Sequence, residues 1–166
     1  NYLVKLIVDT NVPLVANRQT PQASPTCVEA CVRLLLNVQR EQTLVLDHDW
    51  YVIRENKNKL RSTGEPGVGD AFLKWVLTNR NNPARCERIS ITRLSDSDDG
   101  NDFAEFPVDP ALTTFDRADR KFVAIALAHP EKPPIFNATD TDWWIHQVSL
   151  EKYGIEINFL CPDAIP

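Results

Sequence analysis

Hydrophobic and polar positions along the chain predict five strands separated by helices. Residues 3–8 and 43–47 are nearly continuous apolar runs, the pattern of strands that are buried on both faces of a sheet. Residues 88–94 alternate between polar and apolar side chains, which predicts a third strand. Residues 135–139 and 155–160 predict the fourth and fifth strands.

Helical spacing fills the segments between these strands. A short helical or irregular stretch follows the first strand, and a longer helix begins at Ser24-Pro25 with proline at its first position. The glycine-rich residues 64–69 break the chain, and Asp70 is predicted to cap the helix that follows. Helices are predicted over residues 48–60, 71–77 and 122–128, with a last one ending near residue 152.

Strands that alternate with helices predict an α/β fold. The expected architecture is a three-layer α/β/α sandwich, Rossmann-like, with a mostly parallel sheet of about five strands. We expect a single domain over residues 1–166, with an acidic loop insertion near 95–110. In such open sheets the active crevice lies beyond the carboxyl ends of the strands, so the residues that follow each strand matter most.

Carboxylates are the residues that follow the strands. Because like charges a few ångströms apart repel each other, such clustering is costly unless a cation compensates it. Mg²⁺ and Mn²⁺ prefer carboxylate oxygen and water as ligands, so the pattern favours a divalent metal site. The acids in these positions are Asp9, Asp47, Asp49, Glu55, Asp116, Asp119, Asp140 and Asp142.

Three segments, in this order along the chain, resemble the PIN domain nucleases. They are Val-Asp9-Thr-Asn11-Val, Asp119 ahead of Phe122-Val-Ala-Ile-Ala, and Ala-Thr-Asp140-Thr-Asp142-Trp. The resemblance spans almost the whole chain. It implies that Asp9, Asp119 and Asp140 bind metal with Asp142 in support. It also implies a Glu on the helix after the second strand that completes the metal shell, where Glu55 is the only one, so that Asp9, Glu55, Asp119 and Asp140 are the expected catalytic acids.

The resemblance further implies a metal-dependent endoribonuclease, using Mg²⁺ or Mn²⁺ to hydrolyse phosphodiester bonds of single-stranded RNA. The toxin of a toxin–antitoxin pair is one setting that it suggests, with an antitoxin or a second copy of the chain as partner. The alternative is a PIN-like binding or scaffold module that has lost activity. A phosphatase-like domain is disfavoured, because Asn11 stands where a second Asp is expected two residues after Asp9.

Basic side chains flank two of the acids and predict a track for the phosphate backbone. Arg54, Arg117 and Arg120 are the predicted substrate contacts, with Lys57, Lys59, Arg61 and Lys121 beside them. Asn11 either contacts the substrate or caps the first helix. The alternative for the basic residues is a set of solvated helix faces that balance the acids. Trp143 and Trp144 either stack a base or belong to the core.

Other acids are set aside. Thr26-x-x-Glu29 is interpreted as a capping box, which explains Glu29 without a site. Residues 96–109 carry six acids and no Lys or Arg, and without these six charges the chain would carry +1 instead of −5. This segment is expected to be a solvated insertion whose charge would repel a phosphate backbone.

The four cysteines, at positions 27, 31, 86 and 161, form no Cys-x-x-Cys pair and have no His at zinc-site spacing. Buried free thiols in a reducing cytosol are favoured over a disulfide or a metal site. No apolar run approaches the roughly 20 residues of a membrane span, and the start of the chain lacks the features of a signal peptide. We therefore expect a cytoplasmic protein without a membrane partner.

Overall fold

The structure is a computed structural model that describes residues 4–61, 65–97 and 99–165. Leu3, Gly64 and Asp98, which entered the sequence predictions, lie outside the described residues. Within the described part, five strands form one sheet in the order β3-β2-β1-β4-β5, and every neighbouring pair is parallel. The strands are β1 (Lys5–Val8), β2 (Thr43–Asp47), β3 (Cys86–Ile89), β4 (Ile135–Asn137) and β5 (Ile157–Phe159).

Seven α-helices connect the strands within the described ranges. They are α1 (Asn11–Ala16), α2 (Pro25–Glu41), α3 (Tyr51–Lys59), α4 (Val68–Asn79), α5 (Arg120–Ala128), α6 (Thr141–Ile145) and α7 (Gln147–Glu151). Short 3₁₀ turns occur at Pro110–Leu112, Arg117–Asp119 and Pro162–Ala164. The chain has no helix, within these ranges, that is long and apolar enough to cross a membrane.

The predicted α/β class with a parallel five-stranded sheet is confirmed. The chain moves from β1 to β2 and β3 on one side, and from β3 back to β4 and β5 on the other. Right-handed crossovers in these two directions place helices on both faces of the sheet. Helices α1, α2 and α4 pack together, whereas α5 packs on β1, β2 and β4. The central strand β1 is buried from Leu6 to Val8.

The third strand differs from its prediction. It spans Cys86–Ile89, not residues 88–94, because it pairs with β2 from Leu44 to Asp47 and β2 ends there. The alternating pattern continues beyond that point without a strand partner. Arg93 instead forms an isolated antiparallel bridge with Phe103. The alternating pattern therefore indicated an extended segment, but the end of β2 determined how much of that segment forms a strand.

The predicted capping box of Thr26 and Glu29 is wrong, whereas Asp70 does cap α4 but from within its first turn. Ser24 caps α2 by accepting the Cys27 N–H at 3.1 Å, and Glu29 instead pairs with Arg33 at 2.6 Å on the exposed face. Helix α4 begins at Val68, so Asp70 lies inside its first turn and accepts the Gly67 N–H at 2.8 Å.

The start of α4 lies directly on α1. A Cβ atom added at Gly69 would stand 2.1 Å from the Pro13 carbonyl oxygen, so only glycine permits this approach. The Asn17 side chain bridges the two helices: it donates to Asp70 at 2.8 Å and accepts the Asp70 N–H at 2.9 Å.

The cysteines do not all remain free. Cys27 and Cys161 form a disulfide with a Cα–Cα distance of 5.1 Å, so the prediction of four free thiols is wrong for this pair. Cys31 and Cys86 are buried free thiols, as predicted. The disulfide joins residues 134 positions apart, and only folding brings the start of α2 beside the segment after β5.

Candidate metal centre

Three carboxylates from distant parts of the chain meet at the carboxyl end of the sheet. Asp9 follows β1 directly, Asp140 comes after the neighbouring strand β4, and Asp119 ends the 3₁₀ turn that leads into α5. One carboxylate oxygen from each of them lies within 4.8 Å of the others. The structure thus brings together three of the predicted site residues, and we name Asp9, Asp119 and Asp140 the acid triad.

Asp9 is held in one orientation by two donors. Its Oδ1 accepts the Asn11 N–H at 3.1 Å, and its Oδ2 accepts the indole N–H of Trp143 at 2.7 Å. Burial raises the pKa of Asp9, and the charges of Asp140 and Glu55 add to the shift, although the two hydrogen bonds oppose it. The protein therefore fixes this carboxylate in place while making its negative charge costly.

Asp119 has an oxygen that is left open. It is buried, and within the described part of the chain its Oδ2 has no hydrogen-bond partner. Burial raises the pKa of Asp119 well above its ordinary value, and the charges of Asp9 and Asp140 raise it further. A buried acceptor without a donor is rare in proteins, so this atom has lone pairs that could ligate a cation.

Asp140 completes the acid triad from the start of α6. Its Oδ1 accepts the Asp142 N–H at 2.9 Å, the usual role of a helix cap. The side chain is only partly buried, unlike Asp9 and Asp119, so the triad is reached from solvent on this side. Three convergent carboxylates with an unpaired oxygen match the hard, oxygen-rich ligand set that Mg²⁺ and Mn²⁺ prefer.

Glu55 lies next to the acid triad but not within it. Its Oε2 accepts the Thr10 hydroxyl at 2.5 Å, and its Oε1 lies 3.1 Å from Lys121 Nζ and 3.4 Å from Lys59 Nζ. Lys121 is buried and also donates to the Ala118 carbonyl. The two ammonium groups therefore neutralise Glu55 and offset part of the charge of the triad.

Lys59 responds to the same acids. Burial lowers the pKa of its ammonium, but the attraction of Glu55, followed by Asp119 and Asp9, outweighs this and raises the pKa overall. Its positive charge therefore belongs to the electrostatics of the site. Lys59 and Lys121 stand near acids in the sequence, but their spacing does not indicate that both contact the same oxygen, Glu55 Oε1.

The side-chain oxygens of Asp142 and Asn11 accept bonds from backbone N–H groups beside the triad. Asp142 Oδ2 accepts the Asp116 N–H at 2.7 Å, and its Oδ1 lies 3.3 Å from His146 Nδ1. Asn11 Oδ1 accepts the Ala138 N–H at 2.8 Å, which ties the ends of β1 and β4 together. Both side chains therefore hold the backbone that carries the triad.

Two of the predicted substrate contacts are engaged by the acidic loop. Arg117 lies 2.8 Å from Asp99 and 2.6 Å from Asp102, and Arg120 lies 3.1 Å from Asp102. The hydrogen bond from Arg117, followed by the one from the Asn101 N–H, holds the pKa of Asp99 below its ordinary value. The loop is also anchored by Phe103 in the core. Its acids are therefore partly neutralised rather than simply solvated.

Arg54 remains open to a substrate. It is exposed, and among the described residues no side chain or carbonyl accepts a bond from its guanidinium. It lines a cleft of about 400 Å³ that includes Glu55, Lys59 and Lys121. Arg93, which sequence reasoning missed, also lines this cleft and stacks on the Tyr51 ring at 4.5 Å. The cleft is thus basic and aromatic beside the acid triad.

Three further features of the site were not expected from the sequence. The Thr10 hydroxyl, the Trp143 indole and the Lys121 ammonium all bond to site acids, yet nothing in their spacing identifies which atom they reach. Position in the motif was the only signal, since Thr10 and Trp143 adjoin acids of the predicted site.

The chain matches no protein-family model, and no curated protein or solved structure matches it.

Proposed function

We propose that this protein is a PIN-like, metal-dependent ribonuclease that hydrolyses phosphodiester bonds of single-stranded RNA. The observation that carries the proposal is the acid triad, in which carboxylate oxygens of Asp9, Asp119 and Asp140 lie within 4.8 Å of one another. Without a cation these buried like charges destabilise the fold, and a metal held by such a triad has a direct use in the hydrolysis of a phosphodiester.

The residues divide the work between binding and positioning. A bound Mg²⁺ or Mn²⁺ supplies Lewis acidity, which polarises a phosphoryl oxygen and favours the ionised form of water at neutral pH. Asp119 Oδ2 and Asp140 would hold the cation together with Asp9. Trp143 and Asn11 keep the Asp9 carboxylate from rotating.

The contacts of Glu55 with Lys59 and Lys121 support a role for Glu55 next to the reacting phosphate. In the present arrangement, Lys59 and Lys121 share Glu55 Oε1. A phosphate oxygen entering the cleft would compete for these ammonium groups, as an anion does at any lysine pair. We propose that Glu55 then becomes available to accept a proton from water, with the Thr10 hydroxyl holding its other oxygen.

A cleavage assay tests the proposal. Labelled single-stranded RNA is incubated with the protein and Mn²⁺ or Mg²⁺, and Asp9→Asn and Asp119→Asn are measured beside it. We expect cleavage by the wild type, a loss of at least about 100-fold in each variant, and no change in Asp163→Asn, which replaces an exposed acid in the C-terminal turn. Equal cleavage by the wild type and both triad variants would sink the proposed site.

A second candidate, a binding module that holds RNA without cutting it, is favoured by one observation. Glu55, the acid proposed to accept the proton, is already neutralised by Lys59 and Lys121. The same assay separates the two functions, since RNA binding without metal-dependent cleavage by the wild type supports the module. An antitoxin partner and a homodimer are further proposals that rest on the family resemblance alone.

A further inference from the structure

Three cysteine sulfurs converge outside the acid triad. Cys27 and Cys31 lie one turn apart on α2, and Cys161 lies two residues after β5. All three Sγ atoms are within 4.8 Å of one another, and all three residues are buried. We name this group the thiol cluster. Cys86, the other free cysteine, lies on β3 and is not part of it.

A disulfide explains only two of these residues. Cys27 and Cys161 are covalently joined, and Cys31 places a third sulfur against the bond with its side chain fully buried. A cross-link needs no third sulfur beside it. Three convergent sulfurs are instead the usual ligand set of a thiophilic cation, since soft thiolates select zinc-like ions.

The spacing suits such an ion. Zinc–sulfur bonds are about 2.3 Å long, which puts sulfurs of a tetrahedral site about 3.8 Å apart. Cys31 Sγ already lies within 4.8 Å of both partners, so reduction of the disulfide needs only small side-chain shifts to reach that spacing. Cys27 is the third residue of the 17-residue helix α2. The positive end of the helix dipole favours an anionic sulfur there.

We propose that Cys27, Cys31 and Cys161 of the reduced protein form a trithiolate binding site for a thiophilic divalent cation such as Zn²⁺, and that the Cys27–Cys161 disulfide is the oxidised form that closes this site. The site is independent of the acid triad, which offers oxygen ligands only. A cation reaches it past Cys161, which lies at the base of the exposed Pro162–Ala164 turn.

The chemistry balances in two steps. A dithiol reductant supplies two electrons and two protons to the Cys27–Cys161 bond and itself becomes a disulfide, which leaves three thiols in the cluster. A divalent cation then displaces three protons to solvent and leaves one net negative charge at the site. Because binding releases three protons, it becomes stronger as the pH rises.

Co²⁺ is a direct probe, because its thiolate complexes absorb through sulfur-to-metal charge transfer and carboxylate complexes do not. The full chain is reduced with a phosphine, freed of metal and titrated with Co²⁺ without oxygen. We expect one equivalent of Co²⁺ to saturate the thiolate band, and Zn²⁺ to abolish it. The band should be absent from protein that keeps its disulfide.

Variants locate the site and separate it from the proposed nuclease. We expect Cys31→Ser to lose the band, whereas Cys86→Ser, Asp9→Asn and Asp119→Asn keep it. Circular dichroism of each variant checks that it is folded, and the comparison of reduced with oxidised wild type needs no substitution. A reduced wild type without the band, or a Cys31→Ser protein that retains it, overturns the proposal whatever the outcome of the RNA assay.

Discussion

Trp143 donates its indole N–H to Asp9 Oδ2 at 2.7 Å, and so joins α6 to the end of β1 inside the core. Trp143 is fully buried, and its ring packs edge-to-face on Phe115. The rigid side chain of Trp143 therefore determines which lone pairs of Asp9 face Asp119 and Asp140. Partners that orient a ligand in this way commonly matter nearly as much as the ligand itself.

Trp143→Phe tests this orientation. We expect Mn²⁺ affinity, measured by calorimetry, to fall about 10- to 100-fold, because Asp9 loses the donor that fixes it. The free energy of unfolding should also fall by about 1–3 kcal/mol through lost packing and an unpaired carboxylate oxygen. Trp144→Phe is the matched control, since Trp144 is 48% exposed. Unchanged Mn²⁺ affinity in Trp143→Phe would show that the indole has no such role.

The metal-free protein should lose stability as the pH rises. The pKa values of Asp9 and Asp119 lie above their ordinary value of 3.8, so the folded state binds protons more tightly than the unfolded state. This contribution is fully present below about pH 4 and is lost as the pH rises through the folded pKa values.

Melting in EDTA between about pH 5 and 8 measures this effect. Because Asp119→Asn removes one of the repelling charges, we expect its melting temperature to fall less with pH than that of the wild type. At the upper end of the range the variant should be more stable by about 1–3 kcal/mol. Mn²⁺ should stabilise the wild type there and leave Asp119→Asn unchanged. Parallel pH curves for the two proteins would falsify this electrostatic coupling.

The acidic loop should weaken RNA binding by occupying Arg117 and Arg120. With Asp99→Asn and Asp102→Asn combined, Arg117 loses both of its carboxylate partners and becomes available to phosphates, whereas Arg120 still donates to the Thr113 and Phe115 carbonyls. We expect RNA affinity in Ca²⁺ to rise several-fold, and the slope of log K against log salt to steepen by about 0.7 for each freed cation.

A matched control removes the same amount of charge elsewhere. Asp96 and Asp163 are exposed, and neither forms an ion pair within the residues that the structure describes. Asp96→Asn with Asp163→Asn therefore reproduces the change in net charge without releasing Arg117. If both double variants bind RNA equally, the gain comes from net charge alone and the specific pairing is irrelevant.

The contact between α1 and α4 should tolerate no side chain at Gly69. The added methyl group of Gly69→Ala would meet the Pro13 carbonyl oxygen, a backbone atom that cannot move aside without shifting α1. We expect a loss of about 2–3 kcal/mol in urea unfolding. Ala71→Ser, at an exposed position two residues along α4, should change stability by about 0.5 kcal/mol or less. Equal stability of the two variants would contradict this packing.

Some features could be predicted because local pattern alone determines them. Strand β2 has the predicted bounds, since Thr43–Asp47 is buried throughout and its three central residues are apolar. Asp9 and Asp140 were identified because parallel strands bring their carboxyl ends to one edge, which made their convergence a consequence of topology. Asp119 was placed by its motif, and the structure brings it to the same point.

Other features depend on which of several possible partners a side chain bonds to in the folded protein. Arg117 flanks Asp119 in sequence, yet Asp99 and Asp102 take its guanidinium because the loop folds back over it. Glu55 is adjacent to the triad, but its carboxylate forms ion pairs with Lys59 and Lys121. Spacing along a chain gives proximity, whereas the choice of hydrogen-bond partner depends on backbone turns that no local pattern encodes.

The Cys27–Cys161 disulfide closes residues 27–161 into a covalent ring. A protease that cuts once anywhere between these cysteines would therefore open the ring without releasing a fragment. The nicked protein would migrate as one piece in a gel until a reductant separates it into two. Strands β2 to β5, helices α3 to α7, most of α2, and the triad acids Asp119 and Asp140 lie within that ring, so damage to a surface loop there need not disperse the parts.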